Sequence, residues 1–155
     1  DIPVDPSPFR RGAISCTGTE FCNLALIETK NRMVEWVKRL EENVDLESPL
    51  RVHLSGCNAS CAQPQIADIG FQGSKTRKDG EIVEAVNVGI GGGLGPDPEF
   101  IDWVVKGVAC DDAVGLVGDI IEEYKQGSED DETFRDYVRR VGTDEVAERA
   151  QEGAA

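Results

Sequence analysis

The sequence of 155 residues predicts an α+β fold, a mixed sheet with flanking helices and a helical C-terminal tail. Three observations predict it. Short β-type runs occupy the middle of the chain, an Asp-Gly pair between two of them indicates a hairpin, and apolar residues at helical spacing precede and follow them. A chain of this length buries a hydrophobic core without disulfide bonds.

The first half of the chain predicts a helix and then strands. Apolar residues at helical spacing predict a helix from Asn23 to Leu40. A short strand is expected in SPLRVHLSG (48–56), and a turn with a second strand in AQPQIADIGFQG (62–73). Asp79-Gly80 favours a tight hairpin turn, so EIVEAVNVGI (81–90) is expected to pair back as a strand.

The second half predicts helices. Asp97-Pro98-Glu99 has the composition of a helix start and is expected to open a helix in FIDWVVKG (100–107). Asp111 is expected to cap a longer helix that ends at Gly127. Two short charged helices then close the chain. We therefore divide it into an α+β unit, residues 1–127, and an acidic helical extension, residues 128–155.

The charge of the chain limits its partners. Sixteen Lys and Arg residues stand against 30 Asp and Glu, a formal net charge of −14, which argues against nucleic acid and anionic membranes as partners. Arg outnumbers Lys and the carboxylates are spread along the chain, a pattern similar to proteins of salt-loving archaea. Neither a signal peptide nor a membrane-spanning run is recognisable, which predicts a cytoplasmic protein with reduced thiols. The missing initiator Met predicts a fragment of a longer protein.

Four of the five cysteines form two pairs, Cys16 with Cys22 and Cys57 with Cys61, while Cys110 stands apart. Four thiolates from two separate segments suit a tetrahedral zinc ion or a cubane iron–sulfur cluster. Structural zinc usually takes pairs with about two to four intervening residues, and the five residues between Cys16 and Cys22 fit that poorly. The spacing favours a cluster, and zinc or inert buried cysteines remain the alternatives.

The residues around the cysteines support a cluster. Small and hydroxyl-bearing neighbours let backbone N–H groups turn toward sulfur, where hydrogen bonds tune the potential of a cluster. These neighbours are Thr17, Gly18, Thr19, Ser55 and Gly56. Cys22 is expected at the start of the first helix, whose positive end favours a thiolate.

Three longer motifs carry a resemblance to a known family. They are CTGTEFCNLALIETK (16–30), RVHLSGCNASCAQPQIADIGFQG (51–73) and VNVGIGGGLG (86–95). Together they resemble the C-terminal half of the siroheme-dependent nitrite and sulfite reductases, over about Arg11 to Gly127. The form TG-x-x-FC-x-x-A-x-x-ETK is more similar to the ferredoxin-dependent nitrite reductases than to the sulfite enzymes.

The resemblance implies a function and a ligand set. The four paired cysteines would hold a [4Fe-4S] cluster, and Cys61, the last of them, would also ligate the iron of siroheme. Nitrite would be reduced to ammonia with electrons from ferredoxin. The basic residues that bind the oxyanion come from the preceding half in this family, so the fragment alone is expected to be inactive. An assimilatory sulfite reductase, or a non-enzymatic zinc or iron–sulfur module, is the alternative.

Further residues are assigned to the cofactors on the same basis. Asn58 would contact a siroheme carboxylate from one position before the family's usual Asn, because Asn58-Ala59 replaces Pro-Asn here. Gln63 is a second candidate for these carboxylates, and Thr17 for the cluster. The GIGGGLG turn lacks the dinucleotide fingerprint, so Gly91 and Gly92 are expected to let the backbone approach the macrocycle.

The remaining chemically interesting side chains are expected to be structural. His53, the single histidine, lies in a predicted strand, where packing or a hydrogen bond outweighs metal ligation. Cys110 has no partner thiol nearby and is expected to be a small buried hydrophobe.

Overall fold

The computed structural model describes residues 4–153 and has a mixed α+β fold, as predicted. Its strands are β1 (Ala13–Ser15), β2 (Val52–Ser55), β3 (Ile69–Lys78), β4 (Glu81–Ile90) and β5 (Asp102–Ala109). Its helices are α1 (Pro8–Gly12), α2 (Lys30–Asn43), α3 (Cys110–Gly127), α4 (Phe134–Val141) and α5 (Thr143–Gly153). The sheet order is β1-β2-β3-β4-β5, with β1, β2 and β3 parallel and β4 antiparallel to both of its neighbours.

The predicted hairpin is confirmed. Strands β3 and β4 pair in register from Ile69 with Ile90 to Lys78 with Glu81. Asp79 and Gly80 form the turn with φ angles of 53° and 87°. Positive φ at both central residues matches the twist of the flanking strands, which explains the preference for Asp-Gly at this position.

One face of the sheet and the helices enclose the core. Trp36 of α2 packs edge-on against Phe71 of β3, with ring centroids 5.0 Å apart. Helix α3 contacts α2, β4 and β5. The two C-terminal helices pack against α3, and Tyr137 of α4 and Val146 of α5 are completely buried. The charged pattern of this tail therefore describes only the outer faces of helices whose inner faces belong to the core.

The predicted start of the first helix is wrong by about two turns. Residues 23–29 form turns, and α2 begins at Lys30. Backbone groups of this segment form hydrogen bonds with other loops in place of helical ones. Leu26 N donates to Gly56 O at 2.8 Å, and Thr19 N donates to Ile27 O at 3.2 Å. Long-range pairing thus overrides the helical spacing, and Cys22 does not lie at a helix N-terminus.

The helix predicted in FIDWVVKG is also wrong, since this stretch is strand β5. It pairs with β4 through Trp103 opposite Gly89 and Val105 opposite Val88. Tertiary pairing therefore outweighs the helix-start composition of Asp97-Pro98-Glu99.

The long helix α3 ends at Gly127 as predicted, but Asp111 does not cap it. The N-cap residue is Ala109, and Asp111 lies in the first turn, where the helix dipole favours a carboxylate. Within residues 4–153, no helix is long and apolar enough to cross a membrane.

Candidate metal centre

The four paired cysteines come together around one pocket of about 290 Å³. Strands β1 and β2 are parallel and adjacent, so their carboxyl ends lie at the same edge of the sheet. Cys16 directly follows β1, and Cys57 follows β2 after Gly56. Crevices at the carboxyl ends of parallel strands are common ligand sites. The pocket is also lined by Ser15, Thr17, Leu24, Ala25, Lys30, Ser55, Gly56, Ala59 and Ser60.

Backbone hydrogen bonds shape the first cysteine loop. Cys16 N donates to Leu54 O at 3.0 Å and so continues the pairing of β1 with β2. Gly18 then turns the chain with a φ of 68°, and Cys22 N donates to Gly18 O at 3.0 Å. The left-handed turn returns Cys22 to the same pocket as Cys16.

The second cysteine loop contains two non-glycine residues in the left-handed region. Ser60, just before Cys61, has a φ of 58°, and Gln63 has a φ of 52°. Such residues cost roughly 1 to 3 kcal/mol each and cluster at functional sites. Hydrogen bonds from Gln63 N to Ser60 O at 2.8 Å and from Ala62 N to the Ser55 hydroxyl at 3.0 Å hold the loop.

The thiol of Cys16 receives a backbone hydrogen bond from the opposite loop. Gly56 N donates to Cys16 Sγ at 3.1 Å, which is the backbone contact to sulfur that the small neighbours predicted. A donated hydrogen bond stabilises the negative charge of a thiolate. The loop that carries Cys57 and Cys61 therefore also contacts the thiol of Cys16.

Four thiols that line one pocket form a donor set for an iron–sulfur cluster or a zinc ion. In residues 4–153, no three His, Cys, Asp or Glu side chains lie close enough to hold a single metal ion. All five cysteines are free thiols, so the four that line the pocket are available as ligands. An all-thiolate donor set suits the iron–sulfur cluster expected from the sequence.

The four thiols differ in exposure. Cys57 is buried, Cys16 and Cys22 are intermediate, and Cys61 is exposed. Cys61 is therefore the thiol best placed to reach a group outside this part of the chain.

Of the other predicted cofactor contacts, only Thr17 lines the cysteine pocket. Asn58 is exposed beside the pocket, and its carbonyl accepts a hydrogen bond from Ser60 Oγ at 3.2 Å. Gln63 is exposed as well, and its carbonyl oxygen lies 3.0 Å from His53 Nδ1. The contact of each of these two side chains with a cofactor carboxylate stays a prediction.

The structure places Gly91 and Gly92 away from the cysteine pocket, next to other parts of the same chain. A Cβ at Gly91, whose φ is 88°, would lie 3.0 Å from the side chain of Val138. A Cβ at Gly92 would lie 2.5 Å from Ala67 O. Close packing within the chain accounts for both glycines, and their contact with a macrocycle stays a prediction.

The structural roles predicted for His53 and Cys110 are confirmed. His53 is buried in β2, and its ring nitrogen lies within hydrogen-bonding distance of the Gln63 carbonyl. Cys110 is buried at the start of α3, where burial raises the pKa of its thiol to about 11. A thiol with this pKa stays protonated at neutral pH and is a poor metal ligand.

Two residues at the site escaped the sequence analysis. Lys30 lines the pocket, and its Nζ lies 3.4 Å from Ser15 O. Thr29 is completely buried between the two cysteine loops. Both belong to the ETK motif at 28–30. Both residues were missed because the helix predicted from Asn23 placed them in its interior and away from the cysteines.

Comparison with known proteins identifies the family. Residues 7–155 match the family described as the nitrite and sulphite reductase 4Fe-4S domain, and the chain belongs to this family. It is 43% identical over 147 residues to the assimilatory ferredoxin-dependent nitrite reductase of Haloferax mediterranei, covering 93% of this chain and 25% of that protein. It is 46% identical over 118 residues to the ferredoxin–nitrite reductase of Synechococcus elongatus, covering 76% of this chain and 23% of that protein.

A solved structure and a sulfite enzyme complete the comparison. The fold matches that of the Mycobacterium tuberculosis NirA protein with a TM-score of 0.84 and 33% identity, over 92% of this chain and 27% of that one. The chain is also 36% identical over 152 residues to the ferredoxin sulfite reductase of Mycolicibacterium paratuberculosis, covering 94% of this chain and 27% of that protein. The chain thus spans about a quarter of the length of these relatives.

Proposed function

We propose that this chain is the cluster-bearing part of a ferredoxin-dependent nitrite reductase, which reduces nitrite to ammonia. The observation that carries the proposal is the convergence of Cys16, Cys22, Cys57 and Cys61 on one pocket. The names of the relatives in Haloferax and Synechococcus support nitrite as the substrate and ferredoxin as the electron donor.

We propose these four cysteines as the ligands of a [4Fe-4S] cluster and Cys61 as the thiolate shared with the iron of siroheme. The exposure of Cys61 supports this choice, since a ligand shared with a second cofactor has to point out of the cluster pocket. When bound, siroheme and the cluster supply the site of substrate binding and the reservoir of electrons for the multi-electron reduction.

The chain's own groups hold and tune the cluster. The Gly56 N–H group donates to Cys16 Sγ and disperses negative charge from that ligand, which favours the reduced state. Lys30 lines the same pocket, and its positive charge acts in the same direction. Turns at Gly18 and Ser60 place the thiols without help from a helix dipole.

The rest of the enzyme has to supply what this chain lacks. Of the residues that line the cysteine pocket, Lys30 alone is basic, whereas binding and reducing an oxyanion requires several positive groups. We therefore propose a preceding half that completes the siroheme pocket, and we expect the 155-residue chain alone to be inactive. Within the chain we propose residues 1–127 as the cofactor-binding unit and 128–155 as a helical extension.

A sulfite reductase is the second candidate, favoured by the 36% identity to the mycobacterial ferredoxin sulfite reductase over 152 residues. The deciding experiment compares nitrite and sulfite turnover with reduced ferredoxin, using the complete polypeptide that contains this segment. Porphyrinoid absorption bands together with faster nitrite turnover support the proposal. Faster sulfite turnover favours the second candidate. A colourless protein that holds only zinc would contradict both.

Two further proposals concern the environment of the protein. The net charge of −14 and the similarity to the Haloferax enzyme support function at high salt. The free thiols of all five cysteines support a reducing compartment, and we propose the cytoplasm.

A further inference from the structure

We infer that Thr29 is a positioning residue for the cluster, whose hydroxyl fixes the Cys16 backbone. The inference rests on the proposed function, because it concerns the thiolate environment of the cluster. Thr29 is completely buried, which is uncommon for a polar side chain, and it lies where the two cysteine loops meet.

The hydroxyl group of Thr29 is committed to Cys16. Thr29 Oγ1 donates to Cys16 O at 2.6 Å and lies 3.8 Å from Cys16 Sγ. A threonine hydroxyl carries a single proton, so the short bond to the carbonyl uses its donor capacity. The hydroxyl group therefore fixes the backbone of Cys16.

Gly18 lies so close to this hydroxyl group that there is no room for a side chain at position 18. A Cβ at Gly18 would lie 2.5 Å from Thr29 Oγ1 and 2.7 Å from Thr29 N. The turn between Cys16 and Cys22 can therefore close only around a glycine that lies against Thr29.

The methyl group of Thr29 faces the other loop. Its Cγ2 would lie 3.3 Å from a Cβ at Gly56, the residue whose N–H donates to Cys16 Sγ at 3.1 Å. Thr29 therefore bonds to Cys16 and lies beside Gly56, the two residues of this N–H to sulfur hydrogen bond.

Thr29 is itself held by helix α2 and the sheet. Its carbonyl accepts from Met33 N at 2.9 Å in the first turn of α2. The preceding residue donates from Glu28 N to Glu84 Oε1 at 3.3 Å, and Arg32 pairs with Glu84 at 2.5 Å. The position of Thr29 is thus set by elements that have no cysteine ligand of their own, which suits a support for the ligand loops.

Two substitutions separate the roles of the hydroxyl and the methyl group. Thr29→Val keeps the shape and removes the hydrogen bond, so the partly buried Cys16 carbonyl loses this donor. Thr29→Ser keeps the hydroxyl and removes the methyl group. Thr133→Val is the matched control, because Thr133 caps helix α4 and accepts from Asp136 N at 3.2 Å but does not line the cysteine pocket.

The experiment uses the complete polypeptide that contains this segment, purified without oxygen, and measures iron release to a chelator, the EPR spectrum of the reduced cluster and its midpoint potential. We expect Thr29→Val to release iron about tenfold faster, and to shift the EPR spectrum and the potential. Thr29→Ser is expected to stay within about twofold of the parent, with the same EPR spectrum. Thr133→Val is expected to lower the unfolding temperature only.

Several outcomes would overturn the inference. A Thr29→Val protein with the parent's iron release, EPR spectrum and potential would do so, and so would equal iron loss in Thr29→Val and Thr133→Val. If Thr29→Val does not fold, Thr29→Ser decides, because an altered EPR spectrum in that variant contradicts the role of the hydroxyl. A parent protein that holds no iron would instead refute the proposed function, and the inference with it.

Discussion

The cysteine loops and the helical layer of α3, α4 and α5 are stabilised in different ways. The loops depend on a few individual features. These are the glycine at position 18, the left-handed backbone conformation of Ser60, and the hydrogen bond from Gly56 N to Cys16 Sγ. The helical layer depends on many equivalent contacts among apolar side chains. Single substitutions should therefore disable the loops while the fold survives, whereas the helical layer should lose stability in proportion to the apolar side-chain volume that is removed.

The aromatic centre of the helical layer shows this distributed packing. Tyr124 of α3 packs edge-on against Phe134 and Tyr137 of α4, with ring centroids 5.4 and 5.5 Å apart. Each tyrosine hydroxyl also has a partner, Glu132 O at 2.6 Å for Tyr124 and Glu123 Oε1 at 2.9 Å for Tyr137. No single one of these contacts determines the path of the backbone.

The largest effect is expected for Cys61→Ser in the complete polypeptide. Loss of the shared thiolate should perturb the siroheme bands and the cluster EPR signal together and abolish nitrite reduction. Absorption and EPR spectra and nitrite turnover measure these effects.

Cys110→Ser is the matched control in the helical layer. The thiol of Cys110 is buried, and its pKa is raised to about 11. Its replacement by serine should leave both spectra nearly unchanged. If Cys61→Ser kept its bands and activity while Cys110→Ser lost them, the ligand assignment would be wrong.

The next effect is expected for Gly18→Ala. The new methyl group would meet Thr29 Oγ1 at 2.5 Å in a backbone with a φ of 68°, so we expect about 3 kcal/mol of destabilisation and loss of iron binding. Gly80→Ala, in the hairpin turn, has a φ of 87° but nothing within 4 Å of the new Cβ, and should cost only about 1 kcal/mol. Chemical denaturation and iron content measure both. Equal losses would show that backbone strain alone is responsible.

In the helical layer, Ile120→Ala should cost about 2 to 5 kcal/mol of unfolding free energy, because Ile120 is completely buried in α3. The variant should still bind a cluster with the parent's EPR spectrum under conditions where it is folded. Denaturant titration and EPR spectroscopy measure these two properties. An altered EPR spectrum in the folded variant would mean that the two regions are not independent.

Added salt should stabilise the whole molecule, by less than the Ile120→Ala substitution destabilises it. The net charge of −14 repels itself in dilute buffer, and the screening length falls to about 3 Å in molar salt. We expect the unfolding temperature to rise from dilute buffer to molar KCl. An unchanged or lower unfolding temperature in KCl would contradict the proposed adaptation to high salt.

The two regions also differ in how far the sequence predicts them. Helical spacing and Gly127 predicted α3, and Asp79-Gly80 predicted the hairpin, because these signals are local. The turns at 23–29 and strand β5 were predicted as helices, because their conformation depends on pairing with Gly56 and with β4, which are distant in sequence. The four cysteines were found from their spacing, whereas Thr29 and Lys30 were missed, because their place at the site follows from where α2 begins.

The smallest effect is expected for an ion pair of the helical layer. Glu132 accepts hydrogen bonds from Arg140 Nε and Nη2, both at 2.7 Å, and chiefly for this reason its pKa is lowered from 4.5 to about 2. A carboxyl group whose pKa is lowered in the folded state stabilises the fold at pH values above its unfolded-state pKa. This stabilisation is lost as the pH falls from 4.5 toward 2. Glu132→Gln should therefore lower the unfolding temperature slightly at pH 7, and this difference should shrink over that acid range. Glu129→Gln, 4.0 Å from Arg140 and largely exposed, should change little at any pH. A difference between Glu132→Gln and the parent that grows in acid would show that the ion pair does not stabilise the fold.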